Sequence, residues 1–251
     1  MKSLLMLNYR SVVNTASKTN YHFDPVYSVE FDDFRRQLDW IEKNRLSVVT
    51  VNSVGLTDGL HIALVFEGAL KHAFEPIRQE LESRDLTAIF SPEIDRIPIK
   101  NIDWGLYTDL IEHGHELVPL IDEESLINLS LNDLQVRMIQ KKSWEDKLGA
   151  TITNYSIRGR AFSDYSFLKN ALELQYLICE QFGINDLESS PYLLKRWNLT
   201  RNMNIQEFKQ NLNISSPRFR LRCVGSDFMN LLARIWGQYH VERLNYYMNK
   251  I

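Results

Sequence analysis

The sequence predicts an α/β protein built on a largely parallel sheet. Strand-like and helix-like patterns alternate along most of the chain. Some strand candidates are apolar throughout, as in Ile62–Phe66 (IALVF), which suits a strand covered on both faces. The 251 residues contain no Gly/Ser-rich or Pro-rich linker and no internal repeat, so nothing in composition divides them. At this length a closed or partly closed barrel competes with an open doubly wound sheet.

The elements follow in order. Leu4–Leu7 reads as a first buried strand. Phe31, Phe34, Leu38 and Ile41 share one helical face, and Ser47–Val51 is a β-branched strand candidate. After Ile62–Phe66 comes a helical stripe of Leu70, Ala73, Ile77 and Leu81, then a strand at Thr87–Phe90. Leu106, Leu110 and Ile111 form the next stripe, followed by a strand at Glu116–Ile121. Ser130 with Asp133 has the spacing of a helix N-terminal cap, ahead of a stripe holding Leu134 and Met138. Ile152–Ile157 is a strand candidate, and Leu168, Leu172, Tyr176 and Cys179 recur as a helix. Arg218–Cys223 alternates basic and apolar residues like a strand, and Asp227–Tyr247 is helical with aromatic spacing.

Composition excludes several classes of function. The net charge is −3, so no global basic field points to nucleic acid. No stretch approaches the ~18 to 20 apolar residues of a membrane span. The apolar run at Met1–Leu7 is interrupted by Asn8, Tyr9 and Arg10 before a signal-peptide core is complete, and a cytoplasmic location is expected. Cys179 and Cys223 lack C-x-x-C spacing and suit a reducing compartment. Six histidines leave little room for imidazole metal chemistry. No glycine-rich phosphate loop and no G-x-S-x-G nucleophile motif occurs.

Four blocks carry a resemblance. They are Ser28–Val51 (SVEFDDFRRQLDWIEKNRLSVVTV), Ile62–Phe90 (IALVFEGALKHAFEPIRQELESRDLTAIF), Ile102–Leu117 (IDWGLYTDLIEHGHEL) and Lys141–Asp164 (KKSWEDKLGATITNYSIRGRAFSD). In order and spacing they resemble the polysaccharide deacetylases with the NodB homology domain, the family-four carbohydrate esterases. YLLKRWNL and NIQEFKQNL, within Tyr192–Leu212, resemble the end of the poly-N-acetylglucosamine deacetylase branch. The resemblance implies a deformed (β/α) barrel over residues 1–212, with its site at the strand C-terminal ends. Residues 213–251 would then be a strand–helix extension, packed on the barrel or in a dimer interface.

That family hydrolyses acetamides. An Asp and two His hold a divalent ion, and a second Asp is the base for the attacking water. Its T-F-D-D-G motif is matched here by Val65-Phe66-Glu67-Gly68-Ala69, so Glu67 stands for the base Asp and Gly68 for the metal Asp. Leu120 and Glu124 match the two metal histidines. Tyr9-Arg10 matches a Tyr-His pair, and Ile157-Arg158-Gly159 a Pro-Tyr-Gly stretch that shapes the substrate groove. Leucine offers no donor and glycine has no side chain. One remaining carboxylate does not make a selective transition-metal site.

The expectation is therefore a degenerate deacetylase with no metal and no cofactor. Glu67 is a remnant base or an acceptor for ligand, or else a carboxylate paired with Arg10 or Arg158. Tyr9, Arg10, Asp122, Glu124, Arg158 and Arg160 are candidate ligand-binding residues. Asp122, Glu123 and Glu124 also read as a solvated acidic loop. Trp104, Tyr107, Trp144, Trp197 and Trp236 read as core, and His115 as structural. The expected partners are a glycan, a glycan precursor or a polysaccharide-biosynthesis protein, with a homodimer through the C-terminal helix. Two alternatives remain: an active deacetylase with a rearranged carboxylate site, and a protein–protein interaction module.

Overall fold

The computed structural model describes residues 2–13, 26–53, 58–68, 71–93, 102–122, 130–159, 166–189 and 192–236. In chain order the elements are β1 (Lys2–Tyr9), β2 (Ser11–Val13), β3 (Ser28–Glu30), α1 (Phe31–Lys43), β4 (Ser47–Val48), β5 (Gly59–Glu67), α2 (Lys71–Glu82), β6 (Ile89–Ser91), α3 (Trp104–Glu112), β7 (Glu116–Leu117), β8 (Leu120–Asp122), α4 (Leu131–Leu148), β9 (Asn154–Arg158), α5 (Ser166–Ala171), β10 (Tyr176–Glu180), β11 (Asn185–Asp186), β12 (Leu193–Asn198), α6 (Ile205–Leu212) and α7 (Pro217–Trp236). No helix among the described residues is long and apolar enough to cross a membrane.

β1 is central. It pairs in parallel with β5 along its whole length and with β12 on its other side. β6 extends the sheet beyond β5, and β10, β9 and β8 extend it beyond β12. The segment 116–122 joins the two ends. Its first half lies beside β6, with Ile89 opposite Glu116, and its second half beside β9, with Leu120 opposite Ser156. A Glu93–Leu120 bridge spans the gap, and the Leu120 N–H donates to Pro92 O at 2.8 Å. Pro119 sits at the kink, where its missing N–H breaks the ladder. The strand expected at Glu116–Ile121 is thus one kinked strand that closes a parallel (β/α) barrel. Among the described strands of this sheet β11 alone runs antiparallel, against β1.

Side chains alternate across each strand. Leu5, Leu7 and Tyr9 face outward and share a cluster with Phe34, Leu38 and Ile41 of α1. Leu4, Met6, Ala63, Val65, Ile89, Val118, Ile178 and Leu194 face inward and fill the barrel interior. Each buried aliphatic side chain contributes about 1.5–3 kcal/mol, so both faces of β1 and β5 hold the fold together. Two-sided burial is the physical reason these strands are apolar throughout. Trp104, Tyr107 and Trp144 bind helices together as expected, with Trp104 edge-on to Trp144 at 5.1 Å and Tyr107 stacked on Trp144 at 5.9 Å; the side chain of Trp236 lies outside the described ones.

Two readings of the sequence are corrected. The stripe from Leu168 to Cys179 is not one helix. α5 ends at Ala171, Glu173 takes a left-handed φ of 52°, and Tyr176–Glu180 is strand β10. Leu177 and Cys179 face the helix layer while Ile178 faces the interior, a period of two hidden in a short apolar run. Arg218–Cys223 is the start of α7, not a strand. Pro217 has the φ of a first helical turn, and Ser216 Oγ accepts the Phe219 N–H at 3.1 Å. Ser130 caps α4 as its spacing predicts, in a capping box with Asp133, and Gly149 ends that helix at φ 63°. Leu70 and residues 237–251 lie outside the described residues.

Candidate functional site

The inward-facing alternation continues past the apolar layers to the C-terminal ends of the strands. There the inward residues become polar: Asn8 from β1 and Arg10 just after it, Glu67 from β5, and Glu93 just after β6. Asp122 of β8, Arg158 of β9, Glu180 of β10, and Arg196 and Asn198 of β12 complete the set. Three guanidinium groups and four carboxylates converge on one end of the barrel.

Glu67 is the centre. Its side chain is 1% exposed and that of Arg196 is fully buried, with Arg196 Nη2 2.7 Å from Glu67 Oε1. Asn8 Nδ2 donates to the same oxygen at 2.7 Å and to Asn198 Oδ1 at 2.6 Å. The other Glu67 oxygen faces Arg158 Nη2 at 3.4 Å and Arg10 Nε at 4.0 Å. Arg196 also donates to Ser156 Oγ, and to Ile157 O at 3.1 Å. Towards solvent, Arg10 Nη2 donates to both Glu180 oxygens at 2.6 and 2.7 Å, and its guanidinium lies 4.4 Å from the centroid of the Tyr27 ring. Arg158 bridges Glu67, Glu93 at 2.5 Å and Asp122 at 3.4 Å.

The electrostatics follow from burial and proximity. Burial alone raises the Glu67 carboxyl, but Arg196, Arg10, Arg158 and the Asn8 hydrogen bond outweigh it. The group is held below the usual carboxylate range. Burial disfavours the charge on Arg158, yet the Glu93 hydrogen bond and the negative field of Glu67, Glu93 and Asp122 push its pKa up. Arg10 is shifted the same way by Glu180 and Glu67, against its burial. Glu67, Arg158 and Arg10 are thus each shifted towards the charged form.

Of the residues singled out from sequence, the fold brings together Glu67, Arg10, Arg158 and Asp122. It does not bring Tyr9 there. Tyr9 is one residue out of phase with Asn8 and Arg10, so it faces the helix layer, where its hydroxyl donates to Gln37 Oε1 at 2.9 Å. Gly68 follows Glu67 with a φ of 135°, and Leu120 is buried in the barrel wall. Glu123, Glu124 and Arg160 lie outside the described residues. Asn8, Glu93, Glu180, Arg196 and Asn198 escaped sequence reasoning. The signal available was alternation along LICE and LLKRWN, once those runs are taken as strands. His115 is structural as expected, buried with its Nδ1 accepting the Ala88 N–H at 3.1 Å.

The donors described do not fit a divalent transition-metal ion. No histidine belongs to the cluster, and no group of three or more His, Cys, Asp or Glu among the described residues is arranged for a metal. The carboxylates Glu67, Glu93 and Asp122 already surround the Arg158 guanidinium. An ion placed among them would meet three fixed positive charges within a few ångströms.

No family model matches the chain, and no curated protein matches it. Solved structures do. A de-N-acetylase from Aggregatibacter actinomycetemcomitans superposes with a TM-score of 0.61 at 16% identity, over 84% of this chain and 100% of that one. The Streptococcus pyogenes deacetylase PplD, solved with acetate, gives 0.66 at 14% identity over 84% and 98%. IcaB from Ammonifex degensii gives 0.61 at 12% identity over 80% and 93%. The closed parallel barrel and these superpositions agree: the chain has the fold of the polysaccharide deacetylases.

Proposed function

We propose that this chain uses the polysaccharide-deacetylase fold without metal-dependent deacetylation, as a glycan-binding or scaffolding component of cell-surface polysaccharide biosynthesis. The observation that carries this reading is Arg158, whose guanidinium sits among Glu67, Glu93 and Asp122 at the end of the barrel where such folds place their chemistry. A guanidinium supplies charge and directed N–H donors but no vacant coordination position, so it cannot ligate a water and lower its pKa as a metal ion does. Glu67 is equally unsuited to act as a base. Its pKa is depressed and its oxygens are engaged by Arg196, Asn8 and Arg158. What remains is a polar rim of Arg10, Glu180, Asp122 and Arg158, a donor and acceptor array suited to sugar hydroxyls.

Elemental analysis together with an acetate-release assay on N-acetylglucosamine oligomers tests the proposal. The expected result is no stoichiometric zinc, nickel or cobalt and no acetate, with oligosaccharide binding detected by calorimetry and weakened by Arg158→Ala. Stoichiometric metal, or acetate release that Glu67→Gln abolishes, would overturn it in favour of a rearranged hydrolase.

A further inference from the structure

His115 stands on the seam where the barrel closes and takes no part in the cluster at the strand ends. It immediately precedes β7, and Ala88 comes just before β6. The two strands are tied rung by rung. The Ala88 N–H donates to His115 Nδ1 at 3.1 Å, and the Glu116 N–H to Ala88 O at 2.9 Å. Further along, the Val118 N–H donates to Phe90 O at 2.9 Å, and Ser91 Oγ to Val118 O at 2.6 Å. Three of these four rungs end on carbonyl oxygens. The first ends on an imidazole nitrogen, so it depends on a lone pair that a proton can occupy.

That bond fixes the ring. Nδ1 accepts the Ala88 N–H, so Nε2 carries the proton of the neutral imidazole. The His115 side chain is 1% exposed, and its Nε2 has no hydrogen-bond partner, with Glu82 Oε1 of α2 at 3.9 Å. The Phe90 ring meets the imidazole edge-on at 5.2 Å. The charges facing it are Glu82 and Arg78 of α2, Asp109 of α3, and His113 just after α3. Arg78 Nη1 already takes Glu82 Oε1 at 3.1 Å and Asp109 Oδ2 at 2.8 Å. His113 Nδ1 lies 3.4 Å from Asp109 Oδ1. Burial, with His113 and Arg78, therefore outweighs the two carboxylates and holds the His115 imidazole below its ordinary pKa. Glu116, next in the chain, turns the other way, to the Asn52 N–H and Asn154.

We infer that His115 is an acid-released latch on this seam: its neutral ring ties the start of β6 to the start of β7, and protonation lets go. An imidazolium carries a proton on both nitrogens. Its Nδ1–H would confront the Ala88 N–H, and no rotation of the ring offers that N–H an acceptor. The charged ring is drawn towards Glu82 instead. Once the seam is open and the ring meets water, it titrates near the ordinary 6.5. Opening therefore takes up a proton and becomes more frequent as the pH falls below that value.

Amide hydrogen exchange of the full chain, followed by NMR and referred to the intrinsic rate at each pH, reads the opening at Ala88. From pH about 7.5 to about 5.5 the protection of this amide should fall about three- to tenfold, the upper limit being one proton taken up at 6.5. At both pH values it should stay below the protection of the β1 amides, because the latch opens without unfolding the barrel. His115→Asn sets Oδ1 where Nδ1 stands and cannot titrate, so the fall should disappear. Nitrogen NMR of the wild-type imidazole should show the Nε2–H form, with a midpoint below 6.5. An acid response that survives in His115→Asn, no response in wild type, or an Ala88 amide as protected as those of β1 overturns the inference. So does an Nδ1–H imidazole in the native protein, a result that needs no variant and decides the matter even if His115→Asn does not fold.

Discussion

Replacing Arg196 with methionine tests the heart of the cluster. The Arg196 and Glu67 side chains are essentially buried and 2.7 Å apart. Breaking such a pair from one side costs about 3–5 kcal/mol, because the charge left behind has lost its water as well as its partner. Here the remaining carboxylate keeps Asn8 at 2.7 Å, Arg158 at 3.4 Å and Arg10 at 4.0 Å. The expected loss for Arg196→Met is therefore about 3 kcal/mol, the lower end of that range. Glu67→Gln leaves Arg196 with Glu180 at 3.4 Å and two neutral acceptors, and should cost about 2–3 kcal/mol. The double variant should fall short of the sum by at least about 1 kcal/mol, since each substitution removes the same contact. Urea unfolding at pH 7 reads these values as shifts in midpoint at constant slope. The pH dependence supplies an independent check. The folded carboxyl of Glu67 is depressed, so its contribution is present above the unfolded value of 4.5 and lost as pH falls through the lower folded value. The stability gap between wild type and Glu67→Gln should narrow on acidification below 4.5. A cost under about 1 kcal/mol for Arg196→Met, or additive single effects, would refute the reasoning.

Three further outcomes follow from particular residues. Arg158→Ala removes the cation shared by Glu67, Glu93 and Asp122, so millimolar Mn²⁺ should raise the melting temperature of that variant and not of wild type. Equal shifts in both would show that Arg158 does not hold that place. Burial raises the Glu116 carboxyl despite hydrogen bonds from the Asn52 N–H and Asn154, so its stabilising contribution is present below 4.5 and is lost as pH rises through the higher folded value. The stability of Glu116→Gln relative to wild type should accordingly increase with pH above 4.5, and a flat difference in chemical denaturation would count against this. Ser130→Ala deletes the side-chain half of the capping box of α4, in which Ser130 Oγ accepts the Asp133 N–H, and should cost about 1 kcal/mol in the same assay, with a negligible change indicating that the first turn frays in wild type.

Much of the barrel was legible because burial on both faces writes itself into composition. IALVF has no polar phase to misread, and its length separates it from a helix. The helix caps were legible for the same local reason: Ser130 and Asp133 interact within one turn. Legibility failed where a short run satisfies both periods. Leu168, Leu172, Tyr176 and Cys179 fit a helical face, and only the parallel ladder of β10 with β9 and β12 decides that the last two belong to a strand. That ladder pairs residues far apart in sequence, so no local pattern announces it. The site shows the same division. Glu67 could be placed because it ends an apolar strand, and Arg10 and Arg158 could be named as its partners. Arg196 and Glu180 lie on the strands that were misread or passed over. Tyr9 is a sequence candidate beside Arg10, yet neighbours along an extended chain point opposite ways, and only one of the two reaches the barrel interior.

The charge arithmetic of the cluster gives Glu67 a structural role at the barrel end. Three guanidinium groups face four carboxylates, so the end of the barrel carries one net negative charge distributed over several strands. Removing Glu67 would balance the count but leave the buried Arg196 with its counter-charge no nearer than Glu180 at 3.4 Å. Removing Arg196 would strand Glu67. Each group is costly alone and tolerable only with the others, so the set is retained or lost as a unit. A divalent ion concentrates its charge at one point and leaves a position for water. Guanidinium groups spread theirs over planar forks whose N–H donors lie along the strand ends. On the proposed function, the guanidinium groups neutralise the carboxylates in place of an ion and supply no electrophile. In a fold whose reactions depend on the side chains at its strand ends, the proposed function requires substitution at only a few inward-facing positions.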